Sequence, residues 1–482
     1  MKKILIGILV LFIVSVVFIV FSNFSALKSK AGITSIHNSG ILDTSMVVAR
    51  QNYLNYCASC HYDNLSWFSS RKWKYGHSPD DINQSIRTGY PEFGMPSYKD
   101  ALSEEETDAI AKYIHQTLEL GQQEKLNSLG DKDYYSTEKI KIRPDTIITG
   151  LNVPWGMAFL PGGDMLVTER EGKLLRFRGL KLIAEVKGLP EIHSEGQGGL
   201  LDIRLHPEYK KNGWIYFSYV SPAKNISDGW GTAIMRAKLK DNVLVDKELI
   251  FKAFPDSKTN YHFGCKITFD SKGHIFFGVG ERGKSDNAQS LMNDCGKIHR
   301  LNDDGTVPSD NPFYNSPDAR KSIWSYGHRN PQGLVVSPFN DELWETEHGP
   351  KGGDELNLIV PGKNYGWPVI SFGINYDGTI LTPDTARAGM EQPVTYYVPS
   401  IAPCGTCFVT GDKYKGWEGN IMIGSLRFRN LERVELSGNK VVHKETLLYN
   451  IGRLRNVEVS PDGFIYVAVE SPGMIIRLTP VD

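Results

Sequence analysis

Cys57-Ala58-Ser59-Cys60-His61 places two thiols and an imidazole within about one helical turn. Cysteines at this spacing can form thioethers to the vinyl groups of a haem while the adjacent imidazole reaches the iron, so C-x-x-C-H is an attachment pattern for c-type haem. A zinc or thiol–disulfide CxxC followed by a chance histidine is the plainer alternative. Iron in an electron carrier often takes a methionine thioether as its sixth ligand. Met95, in Gly94-Met95-Pro96, suits that role because Gly and Pro fix the loop around it, whereas Met46 lies on the wrong side of the motif. One covalent haem, held through Cys57 and Cys60 with His61 and Met95 on the iron, would carry single electrons.

The elements around these residues follow from local patterns. Ser103-Glu104-Glu105-Glu106 is a capping box that starts a helix, and Ala109, Ile110, Tyr113 and Ile114 give that helix one apolar face. Residues 46–120 resemble a small class I cytochrome c domain, which is all-α. Upstream, Lys2 and Lys3 precede an apolar run over residues 4–21, near the length that spans a bilayer as a helix. The lysines should stay cytoplasmic, sending the rest of the chain outside. Residues 1–31 are therefore expected to be a signal anchor or a signal peptide. Ser29-Lys30-Ala31 offers a cleavage site, but retention as a transmembrane helix is favoured. Either way the chain is exported to a periplasmic or other extracytoplasmic space, and the anchor would hold it at the inner membrane.

The 482-residue chain leaves room for a larger unit, and its net charge of −1 gives no bulk attraction to nucleic acid. Residues 121–143 are polar and charged and read as a linker. From 144 to 482 one pattern recurs: a turn, a short apolar strand, a loop, then a strand ending in Arg and an apolar residue. Gly162–Phe177, Lys272–Leu301 and Pro461–Leu478 are the clear copies; weaker ones begin at Gly213, Asp341 and Gly419. Six units, each long enough for four short strands, predict a six-bladed β-propeller; a β-sandwich would not repeat six times. The first and last strands should close the ring.

Polar, glycine-rich loops recur at one point of each blade, and a ring would aim them at one central cavity. They carry Gln197, His262, Arg329, Asn330, Gly349, Pro350, Arg427, Arg429, Arg453 and Arg455. Arginines converging there imply an anionic ligand with several carboxylates or phosphates.

The segments GQGGLLDIRLHP, HFG, GKIHRLNDDGTVPSDNPF, GHRNPQGL, EHGPKGGDELNLI, GKNYGWP and RLRNVEVSPDG occur in this order. On them, residues 144–482 resemble the PQQ-dependent glucose/sorbosone (aldose sugar) dehydrogenases, six-bladed propellers that oxidise the anomeric carbon of sugars. The resemblance implies that His262 is the general base, taking the proton of the sugar C1 hydroxyl while hydride moves to C5 of PQQ. It implies PQQ contacts from Gln197, Arg329, Asn330, Arg427, Arg453 and Arg455. It implies calcium beside PQQ on the carbonyls of Gly349 and Pro350, and a second calcium at Glu355 and the Tyr365 carbonyl. The expected activity is PQQ- and calcium-dependent oxidation of an aldose to its lactone. Electrons would then pass one at a time to the fused haem, and on to a downstream cytochrome or terminal oxidase of the respiratory chain. The competing reading is an inactive propeller that binds a glycan or protein ligand; a related enzyme acting on a non-sugar alcohol or cell-wall fragments is a second.

Three departures stand out. Arg427 falls where the family usually has lysine, which keeps the charge but changes the geometry. Glu281 stands where the family usually has aspartate; if that carboxylate orients the imidazole, the extra methylene would shift His262. Cys265, Cys295, Cys404 and Cys407 lie outside the family pattern; an oxidising compartment allows disulfides among them, with a local bridge or plain packing expected for Cys404-x-x-Cys407. The loops 221–231 and 371–392, on which substrate breadth depends, carry no readable signal.

Overall fold

The computed structural model describes residues 44–57, 75–90, 95–127 and 134–481. Cys60, His61 and the apolar run at 4–21 lie outside the described residues. Among those described, no helix is long and apolar enough to cross a membrane.

Among the described residues the N-terminal region has three helices: α1 (Thr44–Tyr56), α2 (Pro79–Thr88) and α3 (Glu104–Asn127). The capping box closes as the sequence requires. Ser103 N–H donates to Glu106 Oε2 at 2.9 Å and Glu106 N–H donates to Ser103 Oγ at 3.2 Å, satisfying two donors at the start of α3. Ile110 and Ile114 are buried, as are Ile82 and Ile86 of α2. The Tyr53 ring of α1 meets the Tyr113 ring of α3 at 5.7 Å. Met95 sits on a two-way backbone bridge, Tyr90 N–H to Met95 O at 2.7 Å and Met95 N–H to Tyr90 O at 3.1 Å. The loop then crosses Gly89, whose φ is +68° and where a Cβ would stand 2.4 Å from Ser97 N, so no other residue fits beneath it. Helix α3 continues to Asn127, past the expected limit at 120, because Gln122-Gln123-Glu124-Lys125 are good helix formers as well as polar.

The remainder is a ring of six antiparallel sheets. Blades 1 to 5 take their four strands from residues 154–186, 200–252, 267–326, 331–397 and 403–447 in turn. Each of the six repeat markers falls on the second strand of a different blade: Asp164–Glu169, Trp214–Pro222, Ile275–Val279, Leu343–Glu347, Ile421–Ser425 and Ile465–Ser471. That strand has neighbours on both edges and a blade on either face, which is why it is short and almost wholly buried. The turn before it repeats as well, with Gly163, Gly273 and Gly463 donating N–H bonds to Leu160, Asp270 and Ser460.

Blade 6 shows how the ring closes. Its strands Arg453–Val459, Ile465–Ser471 and Met474–Val481 are extended by Lys141–Thr149, paired from Lys141↔Val481 to Thr149↔Met474, with Tyr135–Ser136 outside it. The propeller therefore recruits chain from 135 onward, upstream of Pro144. Apolar clusters fill the gaps between neighbouring blades: Leu166 and Leu174 pack with Ile215 and Phe217, and Ile148, Ala468 and Ile475 with Met165 and Val167.

Polar side chains plug the centre of the ring. Lys266, fully buried on blade 3, donates to Asp202 Oδ1 of blade 2 at 3.0 Å and Asn456 Oδ1 of blade 6 at 2.8 Å. Arg204 Nη1 donates to Glu458 Oε2 at 2.6 Å. This buried network links blades 2, 3 and 6, with Asn456 Nδ2 and Glu458 Oε1 its two atoms that make no hydrogen bond.

Candidate active site

A cavity of about 1120 Å³ opens within the ring. Of the residues singled out by sequence, Gln197, Asn330, Arg427, Arg453, Arg455, Gly349 and Pro350 line it together. His262 and Arg329 are not part of the wall but are bonded to residues that are. His262 N–H donates to Gln197 Oε1 at 2.9 Å, and Arg329 Nη1 donates to Gly349 O at 2.9 Å.

The cavity is cationic. Arg170, Lys351, Arg427, Arg453 and Arg455 line it against one acid, Glu470. Glu470 accepts from Arg453 Nε at 2.5 Å and from Arg455 Nη2 at 2.7 Å, so one carboxylate aligns two guanidinium groups. Burial alone would raise the Glu470 carboxyl, but Arg455 and Arg453 outweigh it and hold it well below the ordinary range. Arg170 is lowered by burial and by the like charges of Arg455 and Arg453, against the opposite pull of Glu470. Positive charge in such excess is compensated by an anionic ligand. Arg329, just outside the wall, keeps a buried Nε without a hydrogen-bond partner. The set therefore fits a planar tricarboxylate such as PQQ.

His262 is tied down by blade 3. Its Nδ1 lies 2.5 Å from Glu281 Oε1. An ionised carboxylate only accepts, so Nδ1 carries the proton and Nε2 keeps its lone pair. Burial and then the charge of Arg329 push the imidazole down to about 4, against the opposing pull of Glu281. Neutral at physiological pH and oriented through Nδ1, it is equipped to take a proton at Nε2. The longer Glu281 side chain thus reaches the imidazole.

The two expected calcium positions are built from oxygen donors, as a hard cation requires. The Gly349 and Pro350 segment lines the cavity, fixed where Asp354 Oδ1 accepts Gly349 N–H at 2.9 Å. The Gly349 carbonyl also accepts from Arg329, and its second lone pair remains for a metal. Glu355 and Tyr365 border a separate small cleft with Glu347 and Ser371. Behind it, Asn357 Nδ2 donates to Glu345, Glu347 and Glu355 at 3.1, 3.3 and 3.1 Å. Burial, then the charge of Glu347, pushes Glu345 and Glu355 well above the carboxylate range. Glu345 Oε1 and Asn357 Oδ1 are buried acceptors with no hydrogen bond, so the donor set fits a cation.

The cysteines resolve toward packing. Cys265, Cys295, Cys404 and Cys407 are all free and buried. Cys404 and Cys407 lie three apart on the strand Pro403–Phe408, whose register with its neighbour shifts between Pro403 and Thr406. Cys404 contacts Arg455 Nη1 at 3.4 Å, while Cys407 joins the apolar cluster between blades 5 and 6. Arg429, also raised from the sequence, is absent from the cavity wall and donates to Asn450.

Sequence reasoning missed Arg170, Lys351, Glu470 and Tyr376 on the cavity wall. Lys351 sits inside the segment EHGPKGGDELNLI without being singled out, the other three sit in none of the segments that carry the family resemblance, and the four meet only when blades 1, 4 and 6 assemble. Tyr376 comes from the loop 371–392, whose Ile374 bridges Lys351. In the loop 221–231, Trp230 stacks on His193 at 3.7 Å.

Residues 151–477 match the family described as Glucose / Sorbosone dehydrogenase, and residues 47–114 match Cytochrome C oxidase, cbb3-type, subunit III. The aldose sugar dehydrogenase YliI of Escherichia coli K12 is 40% identical over 339 residues, covering 68% of this chain and 91% of that one. The apo crystal structure of the soluble E. coli aldose sugar dehydrogenase superposes with a TM-score of 0.68 at 36% identity, over 70% of this chain and all of that one. The PQQ-bound aldose sugar dehydrogenase of Streptomyces coelicolor gives 0.60 at 28% identity, over 72% of this chain and all of that one.

Proposed function

Because the chain belongs to the glucose/sorbosone dehydrogenase family and carries a cytochrome c domain, we propose that it oxidises an aldose at C1 to the lactone with PQQ and calcium, and passes the electrons to its own haem. The observation that carries this reading is the convergence of Arg170, Arg427, Arg453 and Arg455 on one cavity, with the His262–Glu281 pair bonded to its wall through Gln197. PQQ bound there supplies a quinone that accepts the two electrons released as C1 is oxidised. Gln197, Asn330, Arg427, Arg453 and Arg455, with Arg329 beside them, would bind and orient it. His262 Nε2 takes the proton of the C1 hydroxyl, while Glu281 holds Nδ1 and stabilises the imidazolium that results. The Gly349 and Pro350 carbonyls would hold calcium at the quinone, where a divalent ion polarises a carbonyl oxygen. Glu355 and the Tyr365 carbonyl would hold a second calcium that braces blade 4.

The haem would be covalent through Cys57 and Cys60, with His61 and Met95 on the iron. Accepting one electron at a time, it would link the sugar oxidation to a cytochrome or terminal oxidase. Export and retention by the N-terminal apolar run would keep that relay at the membrane.

The test is reconstitution with PQQ and calcium, followed by dye reduction across a panel of aldoses. His262→Ala should bind PQQ as the wild type does yet lose sugar oxidation. Full activity in that variant would remove His262 as the base.

A further inference from the structure

His262 has a left-handed backbone, φ +57°, which costs a non-glycine residue about 1–3 kcal/mol and persists only where neighbours over-determine it. The neighbours come from the turn Gly280-Glu281-Arg282-Gly283. Arg282 is buried, 1% exposed, and itself left-handed with φ +64°. Its Nη1 donates to Tyr261 O and its Nη2 to Thr259 O, both at 2.5 Å, and its guanidinium lies 3.6 Å over the Phe263 ring. One side chain therefore grips the chain on both sides of His262. The two glycines complete the fit. A Cβ at Gly280 would stand 2.3 Å from His262 O, and one at Gly283 would meet the Tyr261 ring at 2.7 to 2.9 Å. Tyr261 in turn lies edge-on to the imidazole at 4.8 Å.

The grip is chemically unusual. Arg282 has no carboxylate within ion-pair distance among the described residues; its two hydrogen bonds go to neutral carbonyls and its Nε has none. Burying a cation on such partners is unfavourable, so stability alone gives little reason for an arginine here. A planar fork that spans two carbonyls while stacking on a ring is something lysine cannot reproduce.

We propose that Arg282 is a positioning residue for sugar oxidation, its guanidinium locking the backbone of His262 so that the imidazole keeps one orientation on Glu281. The inference rests on His262 being the base. The charged groups facing that imidazole are Glu281, Arg282 and Arg329, and the buried His348 imidazole, pushed down to about 3 by burial, is a further titratable neighbour. Burial and then Arg329 do most to keep His262 unprotonated, and Arg282 adds a smaller push in the same direction.

The experiment compares Arg282→Lys and Arg282→Met in the full-length enzyme loaded with PQQ and calcium, with His262→Ala alongside. Arg282→Lys keeps the cation and loses the fork. Its kcat is expected to fall about tenfold, the worth of one charged hydrogen bond, with PQQ affinity and the acid limb of the pH profile unchanged. Arg282→Met should fall further, and its acid limb should move to higher pH because a repelling charge has gone. A merely structural arginine would lower the melting temperature while the kcat of the folded Arg282→Lys enzyme stayed at the wild-type value. If Arg282→Met does not fold, Arg282→Lys decides: wild-type kcat with intact PQQ binding overturns the proposal. An active His262→Ala overturns the base reading itself, whereas an inactive His262→Ala beside fully active Arg282 variants overturns only the role of Arg282.

Discussion

Glu281→Asp isolates the orientation of the imidazole. The present contact between Glu281 Oε1 and His262 Nδ1 is 2.5 Å. Removing one methylene withdraws the carboxylate by about 1.3 Å, since a carbon–carbon bond is about 1.5 Å long and the chain is not straight. The backbone cannot follow to close the gap. Glu281 N–H is bonded to Arg329 O at 2.9 Å, its carbonyl accepts Asn287 Nδ2 at 3.0 Å, and Gly280 already abuts the His262 carbonyl. The separation would become about 3.8 Å, beyond hydrogen-bond range. A charged hydrogen bond is worth about 1.5–3 kcal/mol, so kcat should fall about tenfold to 150-fold. Glu281 also raises the imidazole pKa, so its retreat should move the acid limb to lower pH, opposite to Arg282→Met. The assay is steady-state dye reduction at saturating aldose, PQQ and calcium, with PQQ affinity measured separately by fluorescence. Wild-type kcat in a correctly folded Glu281→Asp enzyme would refute the claim that this carboxylate orients the base.

Further outcomes follow from the same structure. His262, pushed down to about 4, is neutral above that value, so kcat/KM should hold from neutral pH to about 5 and fall only as pH drops through 4; a limb near 6.5 would mean an unburied imidazole. Folding should respond to the same group: its folded pKa lies below the unfolded 6.5, so its contribution is complete above 6.5 and is lost as pH falls from there to about 4. Lys266→Met leaves Asp202 buried without its ion-pair partner, while Glu458 keeps Arg204, and should destabilise the propeller by about 3–5 kcal/mol, read as a lowered urea midpoint. Met95→Ala should abolish the spectrum of methionine-ligated low-spin haem, and an unchanged spectrum would assign the sixth ligand elsewhere.

Much of the fold was legible because its decisive signals are local. A turn glycine followed by a run buried on both faces marks the second strand of a blade wherever it occurs, and six such marks count six blades. Ring closure is not local: Lys141–Thr149 pairs with Met474–Val481 across more than three hundred residues, and nothing in either strand names the other. The tail of α3 was read as linker because polarity and helix propensity coincide in Gln122-Gln123-Glu124-Lys125. At the site, Gln197, Asn330, Arg453 and Arg455 were found because each sits in a recognisable segment. Glu470 and Arg170 were not, since an acid in a strand and an arginine in a turn acquire meaning only when blades 1 and 6 bring them to the same guanidinium cluster. The cysteines show the converse: a CxxC spacing suggests a bridge, but on this bulged strand both thiols are free, Cys404 beside Arg455 and Cys407 in the apolar cluster between blades 5 and 6.

The most direct measurement is anaerobic. Haem-loaded protein is given calcium and PQQ, then a panel of aldoses, while the haem α-band is recorded. The account predicts reduction that requires both PQQ and sugar and that is lost in His262→Ala. A haem that stays oxidised while the sugar reduces an added dye would contradict the internal relay, and no oxidation of any aldose by PQQ-loaded protein would contradict the dehydrogenase itself.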